Sequence, residues 1–347
     1  PSPFTRIGPG PGSIVKPDVV FYGGNAGMNA GKLEKTGIKS FSIDGTPAYN
    51  VGTSFSTPWV SRMAAELTHL VKEEFDPLLI RALLIHNAKY PANNSMSMTD
   101  KVTQMGFGAP SSVQEMLYNS EDEITLILRD TLEKGSFIEM FDFPFPESLV
   151  DKDGNFVGQI IVTLVTKSLL DDKQAGEYCQ SNIDILFGTY ETETDRDTSK
   201  KGIKNPKGLE EPQNILLESL YSARVKGAHP FTGFERECTL VKYGKKFHPV
   251  KKYAIDLSEM TTSNRQRYLR GDRKWYLKIE GLYRDFIEQD ARARNYQLSQ
   301  EYCLLLTIRD PNGKAPVYDE VAQQLDYKNF LHHNIQLRNV VTIDGTL

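Results

Sequence analysis

The run Gly52-Thr53-Ser54-Phe55-Ser56-Thr57-Pro58 holds the residue types best suited to chemistry. A serine at a turn from extended chain into a helix projects its hydroxyl where free backbone N–H groups and the positive end of the helix dipole favour a developing oxyanion. Gly52 permits close backbone approach, and Pro58 fits a first helical turn, where its missing N–H costs nothing. On residue types alone, Ser54, Ser56 and Thr57 are equally competent as plain helix caps.

The elements that must position this run are legible as hydrophobic periodicity. From Phe4 to about Asn119 short apolar pieces, Gly/Pro turns and amphipathic segments alternate, the rhythm of an α/β layer. Val19-Val20-Phe21 predicts a short buried strand, and Ser40 to Asn50 predicts two extended pieces around the hairpin signal Asp44-Gly45. From Pro58 onward Val60, Ala64, Leu67 and Val71, joined by Met63 and Leu70, predict a helix with one apolar face. Asp76-Pro77 predicts a cap and first position for a second helix, which carries Leu79, Ile80, Leu83 and Leu84 to about Asn87.

After Asn119 the period becomes two. Ile124-Leu126-Leu128, Ile160-Val162-Leu164, Ile183-Ile185-Phe187, Trp275-Leu277-Ile279 and Leu304-Leu306-Ile308 each read as a strand. A β-sandwich is expected, decorated by helices over Arg284 to Tyr296 and Val317 to Leu325. Residues 191–213 are charged and nearly devoid of apolar groups, which predicts a mobile loop.

The pattern Gly52-Thr53-Ser54-x-Ser56-x-Pro58 resembles the nucleophile segment of the subtilisin-like serine proteases, the subtilases or peptidase S8 family. Two flanks are similar as well. Ser2 to Pro9 with Lys16-Pro17-Asp18-Val19-Val20 resembles the family's approach to the nucleophile. Arg81 to Ala88 and Gly106-Phe107-Gly108-Ala109-Pro110 resemble its next helix and the turn closing the domain. The likeness covers about residues 2–118.

The resemblance implies that Ser54 is the acyl-forming nucleophile and that its own backbone N–H is one of two oxyanion donors. It further implies a histidine base, an orienting aspartate and an oxyanion asparagine, all well upstream of the nucleophile. The 53 residues before Ser54 contain no histidine, no Asp-Ser/Thr-Gly run and no His-Gly-Thr-His run. The expectation is therefore the C-terminal part of a catalytic domain over residues 1–120, a partial subtilisin-like three-layer α/β domain, followed by a mainly-β sandwich over 121–347. The complete enzyme is expected to be a serine endopeptidase acting on protein or peptide substrates. These 347 residues alone are expected to be inactive and prone to aggregate without the missing N-terminal part. The rival expectation is a catalytically inactive subtilase-like protein that binds a partner through its β-sandwich.

Other candidates read more plainly. His69 lies roughly 22 Å along the helix from Ser54 at 1.5 Å per residue, too far to take its proton. His86 reads as a helix-end or surface residue, and His229, His248, His332 and His333 lack the acidic or further histidine ligands at metal-site spacing. Phe55 is divided between bordering the leaving-group side of the cleft and packing under the turn. Asn25 and Asn29, in the Gly-rich stretch Gly23 to Gly31, read as turn residues. Asp151 to Asn155 reads as a hairpin turn rather than a calcium loop. Arg265, Arg267, Arg270, Arg273 and Lys274, interleaved with Tyr268 and Trp275, read as a solvated loop feeding a strand.

Composition narrows the classes. A net charge of −4, divided as +1 over residues 1–120 and −5 over the rest, gives no basic field for nucleic acid. No apolar run is long enough for a membrane helix. Cys179, Cys238 and Cys303 are scattered and odd in number, so they read as small buried apolar residues, which leans toward a cytoplasmic or otherwise disulfide-free setting. No cofactor is expected from these residues, and calcium is left to the complete enzyme.

Overall fold

The structure, a computed structural model, describes residues 1–71, 75–91, 96–191, 213–221, 247–327, 335–337 and 339–340. The charged stretch expected to be a mobile loop lies, from residue 192 to 212, outside the described residues, as do Cys238, His229, His332 and His333. The chain divides into two compact units, the first built on Pro1–Leu117 and the second beginning at Tyr118.

The first unit is built of hairpins and helices. Strands β1 (Asn25–Asn29) and β2 (Lys32–Thr36) form one antiparallel pair, and β3 (Ile38–Phe41) and β4 (Pro47–Asn50) another. The β3–β4 turn follows Asp44-Gly45 as expected: Asp44 accepts from the Thr46 N–H and hydroxyl, and Gly45 takes φ +81. Helices α1 (Thr53–Leu70), α2 (Pro77–His86), α3 (Met98–Met105) and α4 (Val113–Leu117) follow.

Asp76 caps α2 by accepting from the Leu78 and Leu79 N–H groups at 2.8 and 3.1 Å, with Pro77 at the first position. The carboxylate satisfies two of the four orphan donors there.

Three expectations for this unit change. The helix predicted from Pro58 begins at Thr53, because the Ser/Thr run lies inside its first turn rather than before it. Val19-Val20-Phe21 belongs to no strand; the backbone there is tied instead to a glycine turn, with Phe107 N–H donating to Asp18 O and Val20 N–H to Gly108 O. Asn25 and Asn29, read as turn residues, are the first and last residues of β1, and the turn is Ala30-Gly31. Every pairing within the strands of this unit is antiparallel, so no parallel sheet stands among its described residues.

The second unit opens with β5 (Tyr118–Asn119), β6 (Glu123–Glu133), β7 (Phe137–Phe143), β8 (Gln159–Thr166) and β9 (Ser181–Tyr190). It continues with β10 (Gln213–Asn214), β11 (Val250–Asp256), α5 (Thr262–Tyr268), β12 (Lys274–Tyr283) and α6 (Asp285–Arg294). Last come β13 (Ser299–Arg309), α7 (Val317–Tyr327), β14 (Ile335–Leu337) and β15 (Asn339–Val340). They make a five-stranded antiparallel sheet, β11-β8-β13-β6-β14, and a four-stranded one, β10-β9-β12-β7, with a short parallel pair β15-β5.

Alternate residues of both sheets join one hydrophobic cluster: Leu126, Val162, Leu304 and Leu306 from the first, Ile183, Phe187 and Leu277 from the second. Trp275 stacks on Phe145 at 4.1 Å between centroids within it. The five alternating runs read from the sequence are the inward residues of β6, β8, β9, β12 and β13, as the period of two requires.

The edge of β9 turned away from β12 shows how this unit closes itself. Successive carbonyls there are met by three different donors: Ile183 O by Lys251 Nζ at 2.7 Å, Ile185 O by Asn214 Nδ2 at 3.2 Å, and Phe187 O by the Ile215 N–H at 2.8 Å. Acceptors that would otherwise template a further strand are thereby satisfied.

Candidate functional site

Ser54 is the second residue of α1 and is exposed. Gly52, the residue before the helix, sits at φ +156 and ψ +161, a conformation that favours glycine. Its N–H donates to Gly23 O at 2.8 Å and its carbonyl accepts from Phe55 N–H at 3.1 Å, which pins the turn from both sides. Gly23 is confined in return, since a Cβ there would lie 2.7 Å from Gly52 O. The chain is thus drawn through a tight strand-like approach, reversed at Gly52, and released into a helix with Ser54 at its mouth.

No side chain caps the first turn of α1, and no acidic residue lies in it. Its orphan N–H groups and dipole therefore stay available to an anion at the Ser54 position. Ser56 turns its hydroxyl back to Thr53 O at 3.1 Å, a local bond inside the turn. Phe55 is half-buried, between the two positions open to it.

The flanking motifs hold the turn's surroundings. Asp18 accepts from Arg81 Nη2 at 2.8 Å and Lys16 Nζ at 2.6 Å. Burial works to raise its carboxyl, but the two cations and their hydrogen bonds outweigh it and hold the group below the ordinary carboxylate value. Gly106, at φ +59, has no room for a side chain, because a Cβ would meet Pro17 O at 1.8 Å. The Lys-Pro-Asp, Arg-Ala-Leu-Leu and Gly-Phe-Gly segments, far apart in sequence, are therefore one packed neighbourhood.

The described histidines, His69, His86 and His248, lie on separate segments of the chain. His69 is exposed near the far end of α1. His86, read as a helix-end or surface residue, is indeed the last residue of α2 but is buried, because the α2 C-terminus is folded into the first unit's core. His248 is buried in the second unit. Among the described residues no cluster of three or more His, Cys, Asp or Glu side chains is placed to hold a metal ion.

Cys179 and Cys303 are buried free thiols, and burial pushes the Cys179 thiol up. No helix among the described residues is long and apolar enough to cross a membrane.

Asp151 to Asn155 is a turn rather than a calcium loop. One Asp151 oxygen accepts from the Asp153 and Asn155 N–H groups at 3.0 and 2.9 Å, and the other is taken by Arg265. The basic cluster around β12 is likewise internally engaged. Arg270 pairs with Asp272 at 3.0 Å, Arg273 with Glu191 at 2.7 Å and Lys274 with Asp142 at 3.4 Å, while Arg267 lies over the Tyr268 ring.

What sequence reasoning missed is the β1–β2 hairpin beside the nucleophile turn. Its strands show no apolar alternation, and the only signal was Ala30-Gly31, which takes the two positive φ values of a two-residue hairpin turn, +47 and +77.

Comparison with known proteins bears on the same region. A family model described as the subtilase family, Peptidase_S8, matches residues 1–110. The uncharacterized protein y4bN of Sinorhizobium fredii is 29% identical over 183 residues, covering 47% of this chain and 41% of that protein. The chain thus spans about two fifths of that relative's length. At family level the match supports a peptidase-type function for residues 1–110.

Proposed function

We propose, on the premise that residues 1–110 are a subtilisin-like peptidase S8 segment, that Ser54 is the nucleophile of a serine endopeptidase. The observation that carries this is the uncapped, acid-free first turn of α1 with an exposed Ser54 delivered by the glycine turn at Gly52. In this reading the Ser54 oxygen attacks the scissile carbonyl and the Ser54 N–H donates to the oxyanion. The hydroxyl proton passes to a histidine base and then to the leaving amine, and water releases the acyl group.

The resemblance places the base upstream of the nucleophile, and no histidine precedes Ser54 in these residues, so in this reading the base comes from polypeptide outside this sequence. The same holds for the orienting aspartate and the second oxyanion donor. The apolar stripe of α1 favours such a complement: Val60, Met63 and Ala64 are only half-buried, and Trp59 and Leu70 are exposed. The second unit reads as a β-sandwich joined to the catalytic part, and the substrates are proteins or peptides. Neither a cofactor nor nucleic acid is part of the proposal.

The alternative is a catalytically inactive protein whose β-sandwich binds a partner; that no histidine precedes Ser54 in these residues, where the family resemblance would place the base, favours it. One experiment separates the two. The full-length protein is treated with a serine-directed fluorophosphonate and its peptides are mapped. An adduct on Ser54 supports the peptidase, and an unmodified Ser54 under conditions that label trypsin refutes it.

A further inference from the structure

The β1–β2 hairpin is built unlike a layer of a core. From Asn25 to Thr36 every described side chain is exposed except that of Ala26, which is half-buried. A strand that packs on a core hides alternate residues; these hide neither set. The apolar stripe of α1 differs, because it includes Leu67, which is fully buried. The hairpin is therefore an arm rather than one side of an unfinished layer.

The arm is rooted where Ser54 is delivered. At one end of its base Gly24, at φ +78, leaves no room for a side chain: a Cβ would lie 2.8 Å from Val51 Cγ1 and 3.2 Å from Asn50 O. At the other end a Cβ on Gly37 would lie 2.8 Å from the backbone of both Tyr49 and Asn50. Gly23, just before the base, accepts the Gly52 N–H bond. Both ends of the arm are thus clamped against Tyr49 to Gly52. Near its tip Met28 pairs across the strands with Leu33, and the two are 71% and 62% exposed.

We propose that this arm engages the polypeptide being cleaved, at residues remote from the scissile bond, with Met28 and Leu33 as its apolar contact. The proposal rests on Ser54 being the nucleophile. A chain lying extended across Ser54 must pass the turn to which the arm is fastened. Met28 stands four residues out from Gly24, about 13 Å at ~3.3 Å per residue, so a contact there needs three or four substrate residues beyond the scissile bond. Apolar side chains of an unfolded or extended polypeptide suit the Met28–Leu33 pair, and methionine adapts to varied shapes.

The test compares two substrates in the full-length protein: unfolded casein and a chromogenic tetrapeptide amide too short to reach the arm. The double variant Met28→Ser/Leu33→Ser keeps Gly24, Ala30-Gly31 and Gly37, and so keeps the clamp and turn. A second variant replaces Asn25–Thr36 by two glycines.

The expected result is a ten-fold or larger fall in the ratio of casein to tetrapeptide kcat/KM for both variants, carried mainly by KM. An unchanged ratio, whether through equal loss on both substrates or no loss on either, overturns the arm. Fluorophosphonate labelling is run beside it. A wild-type Ser54 adduct with an unchanged ratio sinks the arm alone, whereas no wild-type adduct sinks the peptidase reading and the arm with it.

Discussion

The two units of this chain differ in how they treat apolar surface. Among the described residues, eleven of the seventeen exposed large hydrophobic side chains lie before Leu117, although that unit is much the shorter of the two. They include Ile7, Tyr22, Phe41, Ile43, Tyr49 and Trp59. The second unit buries its inward residues in one cluster drawn from both sheets, and it caps even the open edge of β9 with Lys251, Asn214 and Ile215. One unit satisfies itself and the other leaves faces uncovered. Exposed apolar surface suits a partner when it is contiguous, and the unit that leaves it uncovered is the one that carries Ser54.

The chain carries one tryptophan in each unit, Trp59 at 44% exposure and Trp275 at 2%, so each reports on its own unit. The largest expected effect is on function. Ser54→Ala in the full-length protein should lower kcat for peptide cleavage on the order of 10⁶-fold, the scale seen when such a nucleophile is removed. The same exposed substitution should leave the urea midpoint seen by Trp59, on the same helix, unchanged. A shift in that midpoint would show that Ser54 is a structural residue.

Next comes the closed core. Leu306, fully buried on central strand β13, should cost about 2–5 kcal/mol when changed to alanine, read as a lower urea midpoint of Trp275 emission. Trp59→Phe in the open unit should cost less than ~1 kcal/mol, because little of that ring's surroundings is sealed. Equal costs would erase the contrast between the units.

A subtler effect belongs to Lys251. Burial pulls its ammonium down from 10.5 to about 8, against the opposing pull of Asp184 3.6 Å away. Between these values the folded chain has lost a proton that the unfolded chain still holds, so stability should rise as pH rises from 8. Burial also lifts the Tyr253 and Tyr302 hydroxyls above their ordinary value, which opposes the rise above pH 10 and leaves pH 8–10 as the window. Lys251→Met should flatten that slope in urea titrations. A slope unchanged by the substitution would mean that the buried ammonium is not its source.

How much of this was legible in the sequence follows the same divide. The second unit's strands announced themselves because Ile183-Ile185-Phe187 and its counterparts alternate between a core and another environment. Strand β11 escaped because the adjacent lysines Lys251 and Lys252, both buried in the fold, interrupt its apolar pattern in the sequence. Strands β1 and β2 escaped for a different reason: with both faces exposed, nothing selects apolar residues at alternate positions.

The helix at Ser54 was legible from Val60, Leu67 and Val71, yet its start lay hidden in a Ser/Thr run that serves equally as cap or first turn. The candidate site was legible only as a resemblance. Residue types alone gave a serine at a helix mouth, and no spacing among six histidines could supply its base.

The central claim is that Ser54 is a nucleophile whose base lies outside these residues. Its most direct test is a timed fluorophosphonate labelling of the full-length protein beside the isolated 347-residue chain, with the modified residue located by mass spectrometry. The account predicts a stoichiometric adduct on Ser54 in the full-length protein and none in the isolated chain. A Ser54 adduct forming at comparable rates in both, or an unmodified Ser54 in both, would contradict it.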